Sequence, residues 1–108
     1  MRKLEIQFNK NGYHHQQVYR QGDIAIYELT SLETGRILGY EVFEVQKFPE
    51  RIIKGKMIDE SEGTPSNEQW GIKAYTVWQK TAAMEKAEIL RARRDRRNLA
   101  KRIGLESI

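Results

Sequence analysis

The sequence predicts an α+β fold: an antiparallel β-meander of four to five strands, packed by one long C-terminal helix. Three observations lead there. Runs of β-branched and aromatic residues recur between residues 3 and 48, with turn chemistry between them. Residues 82–103 contain neither Pro nor Gly and are rich in Ala, Leu, Arg, Lys and Glu, which is helix composition. A chain of 108 residues, 39% hydrophobic and 31% charged, fits one domain with one modest core.

The first strand is predicted at residues 3–8. Leu4, Ile6 and Phe8 alternate there with Lys3, Glu5 and Gln7, the period of a strand with one buried face. Asn11-Gly12 supplies a tight hairpin turn. Residues 13–20 form a weaker strand carried by Val18 and Tyr19, and Gln21-Gly22-Asp23 turns the chain again. Residues 24–29 are a third strand, 30–35 a turn cluster, and 37–48 a fourth strand rich in Tyr40, Val42, Phe43 and Val45.

Pro49 ends the regular part. Residues 50–66 read as a long polar loop interrupted by Ile52, Ile53, Met57 and Ile58. Ser66 and Gln69 fit a capping box, but Gly71 leaves room for only about one turn of helix. Residues 73–78 supply a fifth strand. Thr81 is the predicted cap of the last helix and Gly104 its stop. About 22 helical residues would run roughly 33 Å.

Several classes are excluded or disfavoured. The absence of cysteine removes disulfides, thiolate zinc sites and cysteine nucleophiles, and suits a reducing cytosol. The first five residues carry no apolar run of the signal-peptide kind, and no segment is long and apolar enough for a membrane span. A soluble, cytoplasmic protein is therefore expected, without membrane contact. Phosphate-binding loops, dinucleotide-binding glycine turns and nucleophile elbows are all missing, so no catalytic residue, metal or cofactor is assigned.

The net charge of +4 is concentrated. Arg91, Arg93, Arg94, Arg96, Arg97, Lys101 and Arg102 stand against the single acid Asp95 within residues 91–102, so the remainder of the chain is net acidic. On a helical wheel, Ala83, Ala87 and Leu90 share a face, and that face continues into Arg94, Arg97 and Lys101. Ala92, Leu99 and Ile103 fall nearly opposite. One straight helix cannot bury both stripes on one sheet. The prediction is a helix that packs to Leu90 and then projects, dividing the chain into a β-sheet domain (1–90) and a basic helical extension (91–108).

Crowded arginines repel one another unless a partner offsets them, and guanidinium groups suit phosphates. The expected function is a small non-enzymatic binding protein whose basic helix binds nucleic acid. One alternative is an inhibitor or adaptor acting on a host protein through an acidic surface. The seam Ala92, Leu99 and Ile103 would then meet the partner or a second copy of the chain.

Three weaker constellations stand beside it. His14 and His15 are adjacent, so on a strand they point to opposite faces and cannot share a metal. Trp70, Tyr75, Trp78, Tyr40 and Phe43 could stack bases or simply pack. Asp23, Glu41, Glu44 and Lys47 approach a restriction-type, metal-dependent nuclease pattern, the second alternative, although Glu44 and Lys47 are one residue too far apart.

The segment Gly39-Tyr40-Glu41-Val42-Phe43-Glu44-Val45, with Pro65, Trp70, Gly71, Ala74 and Tyr75 after it, resembles small uncharacterised proteins of tailed phages and mobile elements. In those, a GYEVF strand precedes a P-x-x-x-x-(F/W)-G-x-x-A-(W/Y) segment and a helix. The resemblance covers roughly residues 20–90. It implies a phage or mobile-element origin, a host-cell cytoplasm setting and a compact sheet-plus-helix fold, and no activity. The arginine-rich segment lies outside it.

Overall fold

The computed structural model describes residues 3–103, apart from the side chain of Asn67. Five antiparallel strands form one sheet in the order β1 (Gln7–Lys10), β2 (Tyr13–Gln21), β3 (Ile24–Ser31), β4 (Ile37–Glu44) and β9 (Ala74–Val77). The first four are a meander, and β9 returns to pair with β4, Tyr40 opposite Val77 and Phe43 opposite Ala74. The helix α1 spans Lys80–Arg102. The predicted α+β architecture is the one observed.

Side-chain alternation splits the core in two. On one face Ile24, Ile26, Tyr40 and Val42 pack against Ala83, Ala87 and Leu90 of α1. On the other face Ala25, Tyr27, Phe43, Val45 and Ala74 form a second cluster, edged by Leu4, Phe8 and Trp70. Both faces of β3 are apolar because both are covered, which is why Ile24-Ala25-Ile26-Tyr27 reads as a continuous hydrophobic run. Val45 belongs to this second face, so of the fourth strand's apolar residues Tyr40 and Val42 are the ones that meet the helix.

Four local expectations are corrected. First, β1 runs Gln7–Lys10 and not over residues 3–8. The hairpin is set by its turn: Asn11 and Gly12 both have positive φ, which closes Lys10 onto Tyr13 and fixes the register outward from there. Ile6 consequently lies exposed ahead of the strand.

Second, the 50–66 loop is largely a β-arm. The strand β5 (Gln46–Phe48) pairs with β8 (Ser61–Gly63), and β6 (Arg51–Ile53) pairs with β7 (Lys56–Ile58). Lys54 and Gly55 turn its tip with positive φ, in a sequence that carries none of the usual Asn-Gly signal.

Third, α1 begins at Lys80 after the extended residue Gln79, whose side chain makes no capping bond, so Thr81 lies inside the helix.

The fourth concerns the second half of α1. The stripe begun by Leu90 stays on the domain instead of leaving it, as the contacts of Arg94 and Arg97 described below establish. The predicted single turn between Ser66 and Gly71 is a 3-10 turn at Asn67–Gln69.

Candidate functional site

Two regions hold chemistry that the core does not consume: the basic half of α1 and a cleft on the opposite face of the sheet.

The seven basic residues fall into two groups. Arg97 forms an ion pair with Glu44, which sits at the end of β4 on the helix-covered face and is only 9% exposed. Arg94 lies over Gly22, where a Cβ would come within 2.9 Å of its Nη1, and also meets the neighbouring Asp95 at 3.2 Å. Arg93 donates to the Tyr75 hydroxyl at 2.7 Å and to the Ile72 carbonyl at 3.1 Å, while Lys86 sits over the same tyrosine ring. Arg91 pairs with Glu88 one turn back at 2.6 Å. These four are held by the domain or by the helix itself.

Arg96, Lys101 and Arg102 form the second group. They are exposed, and none reaches an acid within ion-pair distance among the described residues. The seam residues are exposed as well, Leu99 at 49% and Ile103 at 60%, with Ala92 beside them. The geometry thus separates basic side chains held by the domain or by the helix from basic side chains that face solvent. The wheel had set Arg94, Arg97 and Lys101 together. It could not find Glu44 or Gly22, which are remote in sequence.

The cleft lies on the face that α1 leaves open. Its volume is about 360 Å³, and its lining includes Phe8, Lys10, His15, Glu41, Trp70 and Thr76. Register explains the convergence. Glu41 of β4 stands opposite Tyr27 of β3 and Thr76 of β9, and His15 of β2 stands opposite Leu29 of β3 and Phe8 of β1. The His15 and Glu41 side chains meet diagonally across β3, Nε2 to Oε1 at 3.7 Å.

The aromatic surroundings are fixed. Phe8 stacks on His15 with centroids 4.6 Å apart, and Tyr27 stacks on Phe43 at 5.5 Å. The Tyr27 hydroxyl donates to the Glu5 carbonyl and accepts from Gln17 Nε2, and burial raises its pKa. Trp70 is pinned by its indole N–H, which donates to Thr76 Oγ1 at 2.9 Å.

One polar atom in this apolar frame is unsatisfied, and a half-buried carboxylate lies beside it. The His15 side chain is 8% exposed, and its Nδ1 is buried with no hydrogen-bond partner among the described residues. An orphaned buried polar atom costs about 1–3 kcal/mol, so it calls for an explanation. Burial pushes the Glu41 carboxyl above the ordinary carboxylate range, while His15 and Lys10 pull it partly back.

The other sequence candidates do not converge. Glu41 faces the cleft and Glu44 faces the helix, so the two carboxylates of the nuclease pattern lie on opposite sides of the sheet. Asp23 pairs instead with Lys47 at 3.7 Å. Among the described residues, no three His, Asp or Glu side chains are grouped to hold a metal ion. His14 turns away from His15 and meets Asn9. Of the five aromatics considered for stacking, Phe43 and Trp70 border the cleft, while Tyr40 and Tyr75 pack on the helix side. Among the described residues, no helix is long and apolar enough to cross a membrane.

No protein family, curated protein or solved structure matches the chain.

Proposed function

We propose that this chain is a non-enzymatic nucleic-acid-binding protein whose contact surface is the exposed C-terminal end of α1, from Arg96 to Arg102. The observation that carries the reading is that Arg96, Lys101 and Arg102 stand exposed and without acidic partners among the described residues, beside four further basic side chains already fixed in place. A helix anchored at Arg97 and Arg94 presents these charges on a rigid rod. That lowers the ordering cost of binding, and oriented guanidinium groups suit phosphate oxygens. The resemblance to phage and mobile-element proteins supports a role in the host-cell cytoplasm.

The test is fluorescence anisotropy with a labelled oligonucleotide across a salt series. Affinity should fall steeply with salt, since each phosphate contact contributes roughly 0.9 to the log–log slope. Reversing Arg96, Lys101 and Arg102 together to Glu should abolish binding and leave the melting temperature close to that of the parent. A folded triple variant that binds as tightly as the parent overturns the reading.

The exposed seam favours a second reading, in which Ala92, Leu99 and Ile103 meet a host protein or a second copy of the chain. In that case Leu99→Asp would abolish association while the salt dependence stayed shallow.

A further inference from the structure

The cleft is built independently of the basic helix and lies across the sheet from it. We propose that it is a binding site for a purine nucleotide of the guanine type, with the base held against Phe8 and Trp70, its paired N–H edge on Glu41, and its phosphate at Lys10.

The argument starts from what the cleft can satisfy. Its volume of about 360 Å³ falls in the small-molecule range of about 300–1,000 Å³. Tyr27 and Phe43 are wholly buried and form its floor, so the rings left to contact a ligand are the half-buried Phe8 and Trp70. Trp70 is held by its bond to Thr76, which makes it a rigid wall for a flat ring. A stacking wall selects planar ligands.

The polar groups narrow the choice. Glu41, 21% exposed, is the carboxylate in the cleft lining. Its carboxylate offers two acceptor oxygens, one of them 3.7 Å from His15 Nε2. Two acceptors within an aromatic frame ask for a ligand that donates two or more N–H bonds from one edge. Guanine does so through its ring N–H and exocyclic amine, in the bidentate manner a carboxylate accepts.

Charge excludes the nearest competitor. A free guanidinium offers the same donor edge, but it would bring a second positive charge beside Lys10. A neutral base with an anion attached avoids that clash. The cleft also opens toward a second depression that shares Phe8, Lys10 and Thr64 and adds Lys3, a path along which a phosphate would leave the base. Two acids line that depression: Glu62 is already neutralised by Arg20 at 2.9 Å, and Glu5 is outnumbered by Lys3 and Lys10. An apolar ligand would leave Glu41 and His15 unmatched, and a second carboxylate would meet Glu41.

The experiment is isothermal titration of the full chain with GMP, guanosine, AMP, ribose 5-phosphate and arginine amide. GMP should bind, with guanosine weaker because Lys10 loses its phosphate. AMP should bind about tenfold more weakly than GMP, since adenine lacks the paired donor edge that Glu41 accepts. Ribose 5-phosphate should not bind measurably. Glu41→Gln and Trp70→Leu should each lose about tenfold or more in GMP affinity. Lys10→Ala should weaken GMP but not guanosine. Thermal melts confirm that each variant is folded, and Lys10, being exposed, keeps the test alive should either of the others unfold.

The Glu triple variant at Arg96, Lys101 and Arg102 should bind GMP as the parent does. The two sites thus stand or fall separately. No heat with millimolar GMP, an unchanged affinity in folded Glu41→Gln, or arginine amide binding more tightly than GMP would each overturn the proposal.

Discussion

The two faces of the sheet are made from the same strands and solve the same problem differently. On one, α1 covers Ile24, Ile26 and Val42 with a continuous stripe of Ala83, Ala87 and Leu90, and the charged group at its border, Glu44, finds Arg97. On the other, cover comes from short pieces: Leu4, Phe8 and the Trp70 segment. Short pieces leave a gap, and the polar groups inside it, His15 and Glu41, are only partly matched. A single regular element closes a face completely. A patchwork of strand ends and turns leaves room for a ligand, and sites are drawn from such places.

The covered face should be the less tolerant. Leu90→Asp, which buries a charge under the helix, should cost about 3–5 kcal/mol and leave most of the protein unfolded by circular dichroism at 37 °C. A variant that melts at the parent temperature would mean that α1 does not close this face.

Next in size is the ion pair at the same border. Arg97→Ala strands Glu44, whose side chain is 9% exposed. Discounted for the one-third exposure of Arg97, the loss should be about 2 kcal/mol by denaturant titration, partly recovered in the Arg97→Ala/Glu44→Gln double variant. Truncation after Leu90 should lose at least as much, so residues 91–102 are not dispensable for stability. A truncated chain with parental stability would restore the view of a free extension.

The third experiment concerns the border of the open face. Glu62 accepts hydrogen bonds from Arg20 and from the Leu4 amide, which hold its carboxyl below the ordinary carboxylate range. A depressed folded-state pKa adds stability above the unfolded value and loses it as pH falls through the folded one. The parent should therefore exceed Glu62→Gln by about 1–2 kcal/mol at neutral pH. The margin should close on acidification below the usual carboxylate range, as read from melting curves.

Glu41 should behave in the opposite sense, with the smallest effect. Burial raises its pKa against the pull of His15 and Lys10, so its contribution is fullest at acid pH and declines as pH rises through the folded value. Glu41→Gln should raise the neutral-pH melting temperature slightly, by the equivalent of less than about 1 kcal/mol. The gain should vanish in acid. A fall at neutral pH would mean that the His15–Glu41 pair is a net stabiliser, and the open face would then be as complete as the covered one.

Much of the architecture was legible from local patterns. Asn11-Gly12 determined a hairpin because both residues tolerate positive φ, and the run free of Pro and Gly before residue 104 determined the helix. Ala83, Ala87 and Leu90 could be named as the packing stripe from their spacing alone, since a helix face depends only on residue separation. Alternation likewise placed His14 and His15 on opposite faces.

What only the tertiary structure decided involves partners remote in the chain. By sequence Arg97 belongs to the basic stripe, yet its partner Glu44 lies 53 positions away, and only the strand order and helix docking bring the two together. His15 and Glu41 meet across an intervening strand, so no sequence spacing could announce their cleft. The one available hint was that β3 is apolar on both faces, which requires a second cover without saying that the cover is incomplete. Local periodicity determines which face a side chain takes. What waits on that face depends on register and topology, and these are settled by the packing of the whole chain.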